Sequence, residues 1–178
     1  NASIIHLCQL VEGIPLAIEL AATWVRVMPC AEITREVEGS LDILTSVTRN
    51  VPAKHQSMRA VFDHSWKLLS DHEQGVFRRL SVFRGGFTRE AAAQIAGASL
   101  PTLASLVDKS LLRMDPRGRY DVHELLQQYA REKLAEAGEA QDALDRHRDY
   151  FLAFAERGGE ELFGPDQLDW LDRMETEL

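Results

Sequence analysis

Apolar positions at the start of the chain recur at helical spacing. Ile4, Leu7, Cys8 and Val11 follow the 3.6-residue stripe, and Gly13 stands where a helix stops. Pro15 suits the first turn of a new helix carrying Leu16, Leu20, Ala21, Trp24 and Val25. This order predicts two helices joined by a Gly-Ile-Pro corner. After Met28 and Pro29, a short helix with Ile33 and Val37 stops at Gly39. Residues 45–53 are polar, weakly patterned and interrupted by Pro52, which marks a linker and a boundary between parts.

From Lys54 onward, Met58, Val61, Phe62, Ser65, Trp66 and Leu69 trace an amphipathic helix. Ser70 and Glu73 form the S-x-x-E capping box of the next one, ahead of Val76, Phe77, Leu80, Val82 and Phe83. Gly85 and Gly86 make a turn, Thr88 caps a helix over residues 89–96 that stops at Gly97, and Pro101 opens another through Leu103, Leu106 and Val107. Residues 111–114 and 120–122 flank Asp115-Pro116-Arg117-Gly118-Arg119, a small β-hairpin signal, and a helix follows over residues 123–137. Three helices, the last two in helix-turn-helix order, and then a hairpin describe a winged helix. Beyond Gly138 one helix carries Leu144, His147, Phe151, Phe154 and Ala155, and Pro165 opens another through Leu168, Leu171 and Met174. The expected fold class is mainly α: a helical bundle segment (residues 1–50), a winged-helix domain with a small hairpin wing (51–137), and the start of an acidic, tetratricopeptide-like helical repeat array (138–178).

Composition adds limits. The chain has 178 residues, 45% hydrophobic and 27% charged, an ordinary globular balance that excludes collagen-like and wholly disordered classes. Its net charge of −8 is uneven: from Lys133 to the end there are 5 basic and 13 acidic residues, while the 15 of each before that point cancel. No overall electrostatic grip on phosphate backbones or anionic membranes follows. Cys8 and Cys30 lack disulfide or zinc spacing, so a reduced cytoplasm is expected. The longest apolar stretch, residues 14–25, is broken by Glu19 and is short of the ~20 residues a membrane span needs. Helical pattern at both ends and the lack of an initiating Met lead us to expect a segment of a longer polypeptide.

Autonomous catalysis finds no support. There is no Gly-x-x-x-x-Gly-Lys-Ser/Thr loop, Gly-x-Ser-x-Gly elbow, His-Glu-x-x-His helix or Cys-x-x-Cys, so neither catalytic residues nor metal ligands are assigned. His55, His64 and His72 straddle two helices without an i,i+4 pair and read as surface or helix-end residues. Gly85-Gly86 reads as a turn before a phosphate cradle. A winged helix also invites a DNA reading, but residues 101–110 carry only Asp108 and Lys109 as charges. Across residues 88–122 five basic residues face four acidic, a balance of +1, so protein-facing use of the fold is preferred and Arg113, Arg117 and Arg119 alone keep the DNA alternative open.

Two stretches carry a family resemblance. Glu12-Gly13-Ile14-Pro15-Leu16-Ala17-Ile18-Glu19-Leu20-Ala21-Ala22 resembles the G-x-P-L motif of the STAND class of P-loop ATPases, signalling switches that include NB-ARC proteins and the large bacterial AfsR/LuxR-type and MalT-like regulators. Val122-His123-Glu124-Leu125-Leu126 resembles their Met-His-Asp motif, with Val for Met and Glu for Asp. Residues 80–87 and 107–112 are similar to the bacterial branch. The resemblance implies that an ATPase domain precedes this segment and that ADP or ATP is held between the two. Gly13, Pro15, Leu16 and His123 would then be the nucleotide-binding residues: Pro15 would pack against the adenine, with Gly13 permitting the corner, and His123 would hydrogen-bond the β-phosphate and lock the inactive state. It further implies that the upstream ATPase and downstream repeats of the same chain are the partners, that the activated protein forms a homo-oligomer, and that this segment is not an enzyme by itself and binds no nucleotide alone. A DNA-binding winged helix and a plain protein-interaction module whose acidic C-terminal helices bind another protein are the alternatives.

Overall fold

Caps and stops set most helix borders. The computed structural model describes residues 2–45, 57–162, 164–165 and 167–177, and ten α-helices and one two-stranded sheet lie among them. The first unit is α1 (Ala2–Leu10), α2 (Pro15–Ala22) and α3 (Cys30–Gly39), with Leu7, Val11, Ala17, Leu20, Ile33 and Val37 buried between them. The helix expected to run through Val25 instead ends at Ala22. There the Thr23 hydroxyl donates to the Leu20 carbonyl at 2.7 Å, and Thr23–Arg26 tighten into a 3₁₀ turn. Ile4, Cys8 and Val25, expected on the apolar stripe, are exposed. The reason is geometric: α1 packs against α3 on one side, so the stripe is narrower than the spacing alone implied.

The predicted boundary at residues 50 and 51, the linker beyond Thr45 and His55 lie outside the described residues. Their flanks meet, with the Met58 amide donating to the Leu44 carbonyl at 3.0 Å. Arg59 then ties the first unit to the second, pairing with Asp42 at 2.5 Å and with both carboxylate oxygens of Glu132 at 2.5 and 3.2 Å.

The second unit comprises α4 (Met58–Lys67), α5 (Asp71–Leu80), α6 (Arg89–Ala96), α7 (Leu100–Asp108) and α8 (Glu124–Glu136). Ser57, Ser70, Thr88 and Ser99 each accept from the third amide onward, satisfying donors that a helix start leaves free. Two aromatic groups fill this unit. Phe62 and Trp66 pack edge-on against Tyr129 of α8, whose hydroxyl donates to Asp63 at 2.7 Å, and Phe77 tilts against Trp66. Phe87 stacks between Phe83, at 4.5 Å, and Tyr120, at 6.1 Å.

The hairpin is shorter than expected. β1 (Arg113–Met114) and β2 (Tyr120–Asp121) pair antiparallel, Arg113 opposite Asp121 and Met114 opposite Tyr120. Leu111 and Leu112 are buried and their amides close α7 by donating to the Leu106 carbonyl, so they do not join the ladder. Phe87 instead extends it, exchanging two 2.8 Å backbone hydrogen bonds with Tyr120.

α9 (Ala140–Glu161) lies against α6 and α8, and α10 (Gln167–Glu177) folds back on α9. Gly158 permits this approach, because a Cβ there would lie 2.6 Å from Met174 Sδ. Two expectations need correction. Pro165 is a turn residue and α10 starts at Gln167, and Leu144, Leu168 and Leu171 are exposed instead of lining a shared apolar face. Trp170, Phe154 and Phe151 make the contacts instead, flat rings covering more area per position. No helix among the described residues is long and apolar enough to cross a membrane.

Candidate functional site

The corner between α1 and α2 meets the start of α8. Two successive left-handed residues make the corner, Glu12 with φ 46° and Gly13 with φ 73°, and the Gly13 amide closes the turn onto the Cys8 carbonyl at 3.1 Å. Gly13 pays no steric penalty for this φ, whereas a Cβ would. Gly13→Ala is therefore expected to lower the unfolding free energy by about 1–2 kcal/mol, read by urea denaturation. A loss under about 0.5 kcal/mol would show that the corner does not hold this conformation.

His123 is the N-cap of α8. Its Nδ1 accepts from the Leu125 amide at 3.1 Å, so the neutral ring carries its proton on Nε2. That Nε2 is buried in a side chain only 12% exposed, where the Val11 carbonyl lies close by without completing a hydrogen bond of good geometry. Burial holds the imidazole below its ordinary pKa, with the Glu12 carboxylate opposing and Arg113 reinforcing the shift. The imidazole is thus neutral and oriented, its Nδ1 capping the helix N-terminus and its protonated Nε2 turned into the buried side.

Glu12 joins the two segments. Its Oε1 accepts from the Glu124 amide at 3.3 Å and lies 4.0 Å from His123 Nδ1, while its Oε2 accepts from the Arg113 guanidinium. Arg113 also pairs with Asp121 at 2.8 Å across the hairpin. Burial raises the Glu12 carboxyl, but Arg113, His123 and the Glu124 amide outweigh it and keep the group below the usual carboxylate range.

The sequence-predicted residues divide here. Gly13 and His123 are brought to one site through Glu12, Pro15 is an exposed first-turn residue of α2, and Leu16 packs against the core. Glu12, Asp121 and the ion-pairing role of Arg113 were not legible beforehand, since the Arg113–Glu12 pair spans 101 positions. The one available signal was an acidic residue directly before the glycine of the corner. Elsewhere, Gly86 is a turn residue whose carbonyl accepts from Arg119, and the Arg119 guanidinium also binds Glu177. Lys109 is held by Glu73 at 2.6 Å. Of the basic residues that kept a DNA reading open, Arg113 and Arg119 are engaged by carboxylates. Among the described residues no cluster of His, Cys, Asp or Glu is placed to hold a metal ion. An open cavity of about 420 Å³ between α6, α9 and α10 shares no lining residue with this site.

No family model matches the chain. It is 41% identical over 164 residues to a protein of Mycobacterium tuberculosis strain H37Rv that carries the name of an HTH-type transcriptional regulator, covering 86% of this chain and 18% of that protein, and Mycobacterium bovis has a counterpart with the same figures. It is 35% identical over 155 residues to an uncharacterised protein of Mycobacterium tuberculosis, covering 80% of this chain and 39% of that one. The chain thus spans under a fifth of the length of the regulators it matches. Among solved structures, a signal transduction ATPase with numerous domains and a tetratricopeptide repeat sensor from Pyrococcus horikoshii is 21% identical with a TM-score of 0.47, covering 77% of this chain and 21% of that one.

Proposed function

We propose that this chain is the regulatory segment of a STAND-type signalling ATPase that acts in transcriptional control. Its parts are the end of a nucleotide-clasping helical domain (residues 1–50), a winged helix (51–137) and the start of a repeat array (138–178). The observation that carries the reading is the buried His123 imidazole, whose Nε2 completes no hydrogen bond of good geometry and whose ring is tied through Glu12 to the corner that bears Gly13 and Pro15. A helix N-terminus and a nearby guanidinium are groups a phosphate oxygen can use, and a change of the His123 ring orientation would bring its N–H to the same side. Gly13, Pro15 and Leu16 would border the adenine, and His123 would donate to the β-phosphate. ADP or ATP, when bound with an upstream ATPase domain, would supply the bridging charge whose change on exchange biases two arrangements of the winged helix. Release of His123 would free the winged helix to rotate and expose surfaces for homo-oligomer assembly. The segment itself contributes no catalytic residue.

The name borne by the mycobacterial relatives belongs to proteins several times longer, so DNA contact is assigned to other parts of such a chain. The pairing of Lys109, Arg113 and Arg119 within this segment supports that division. The test is calorimetric ADP binding, on this chain and on a longer form that includes the upstream ATPase. The longer form is expected to bind and this chain alone not to, and His123→Ala should weaken retention about tenfold. Unchanged retention in that variant would overturn the role of His123.

A further inference from the structure

The acidic end of the chain gathers its few cations in one place. From Lys133 onward 5 basic residues stand among 13 acidic ones, and Arg146, Arg157 and Arg173 of those five line the open cavity of about 420 Å³ between α6, α9 and α10. Tyr150, Ala153 and Phe154 of α9 give the cavity an apolar wall. Glu90 and Gln94 of α6 and Asp149 of α9 complete it, so three guanidiniums meet two carboxylates and leave a charge of +1. Arg173 is held by stacking, its guanidinium 4.3 Å from the centre of the Trp170 ring and 5.6 Å from that of Phe154. Stacking occupies the face of a guanidinium and leaves its N–H groups, which lie in the plane, to an acceptor at the edge. Arg146 is paired with Asp142 at 3.0 Å, whereas Arg173 forms no ion pair among the described residues. A second cavity of about 250 Å³ shares Arg173 and Glu90 and continues to the hairpin residues Arg117 and Arg119, but there three guanidiniums meet three carboxylates. The surplus of positive charge therefore belongs to the larger cavity.

We propose that the larger cavity binds a small organic carboxylate with an apolar body. Sites for small molecules are clefts of about 300–1,000 Å³ that set a few placed polar groups in an apolar wall, and this cavity has both the size and the lining. A monoanion neutralises its charge of +1, whereas a dianion such as phosphate would leave it negative beside Glu90 and Asp149. Arg173 takes the carboxylate, and Tyr150, Ala153 and Phe154 cover the apolar body. Because α6 belongs to the second unit and Arg173 to α10, a bound acid ties the two together, beside the pair that Arg119 of the hairpin already makes with Glu177. None of these residues belongs to the His123 site, so ligand binding here stands or falls apart from the nucleotide reading.

The probes are 3-phenylpropionate and octanoate, each titrated into this 178-residue chain beside its uncharged amide of the same shape. Binding is followed by the backbone amide resonances of Gln94 and Ala153, and in the parent chain also by the indole N–H of Trp170, on which Arg173 stacks. At least one carboxylate is expected to bind about tenfold more tightly than its amide, with the largest shifts at these residues. Arg173→Gln is expected to bring that ratio below about threefold while leaving the affinity for the amide unchanged. The unchanged amide affinity separates loss of a ligand-holding charge from a general disturbance of α10, and thermal unfolding confirms that folded proteins are compared. Arg35→Gln removes an equal charge from α3, away from the cavity, and is expected to leave the ratio at its parent value. A ratio near one for both probes in the parent chain, a ratio that survives Arg173→Gln, an equal fall in Arg35→Gln, or shifts that avoid Gln94 and Ala153 each overturns the proposal.

Discussion

Phe87→Ala is expected to lower the unfolding free energy by about 3–5 kcal/mol, the range for truncating a buried aromatic ring. The side chain has no exposed surface and stacks on Phe83 and Tyr120, and its backbone supplies both hydrogen bonds that join the α5–α6 connection to the hairpin. His147 and Phe151 of α9 pack edge-on against Phe83, so the cavity would open at the junction of the hairpin with α9. Neighbouring backbone can only partly collapse into such a space. Phe87→Leu keeps most of the burial and should cost less than about 1.5 kcal/mol. Urea denaturation measures both, and amide exchange at Tyr120 should accelerate in the alanine variant. A loss below about 1 kcal/mol for Phe87→Ala would show that the ring does not anchor the hairpin.

Glu73→Gln is expected to cost about 2 kcal/mol at neutral pH and to flatten the acid limb of the stability curve. The Glu73 carboxylate accepts from the Ser70 amide at 2.7 Å and hydroxyl at 2.9 Å, and from Ser105 at 2.5 Å and Lys109 at 2.6 Å on α7. Hydrogen bonds from Lys109 first, then Ser105 and Ser70, hold its pKa at about 2, below the ordinary 4.5. A carboxyl depressed in the folded state stabilises fully above its unfolded pKa and ceases to do so as pH falls through the folded value. The contribution is therefore complete above about pH 4.5 and lost between there and about pH 2. Unfolding measured at stepped pH should show the two proteins converging at the acid end. Parallel curves from pH 5 to 2 would remove Glu73 from the acid response.

The Glu73 case shows where legibility stopped. Its capping-box role followed from Ser70 and Glu73 standing three residues apart, and the box is present with both of its hydrogen bonds. Its tie to α7 was not legible, because Ser105 lies 32 positions away and nothing in the local pattern says that α5 and α7 meet there. His123 repeats the division. Its place at a helix start was legible, and the resemblance implied a phosphate role, but the partner that reaches it, Glu12, came from the far end of the chain.

The sequence by itself determined the helical class, the order of the elements and most helix starts, as at Pro15, Ser70 and Thr88. Those features depend on dihedral preferences and hydrogen bonds closed within three or four residues, so a short window contains their cause. Only the tertiary structure decided that Ile4, Cys8 and Leu168 face outward, that Leu111 and Leu112 finish α7 instead of lengthening the hairpin, and that Glu12, Arg113 and His123 share one site. Each of these depends on which face of one element meets another across many residues of chain, and that is set by the packing of the whole core.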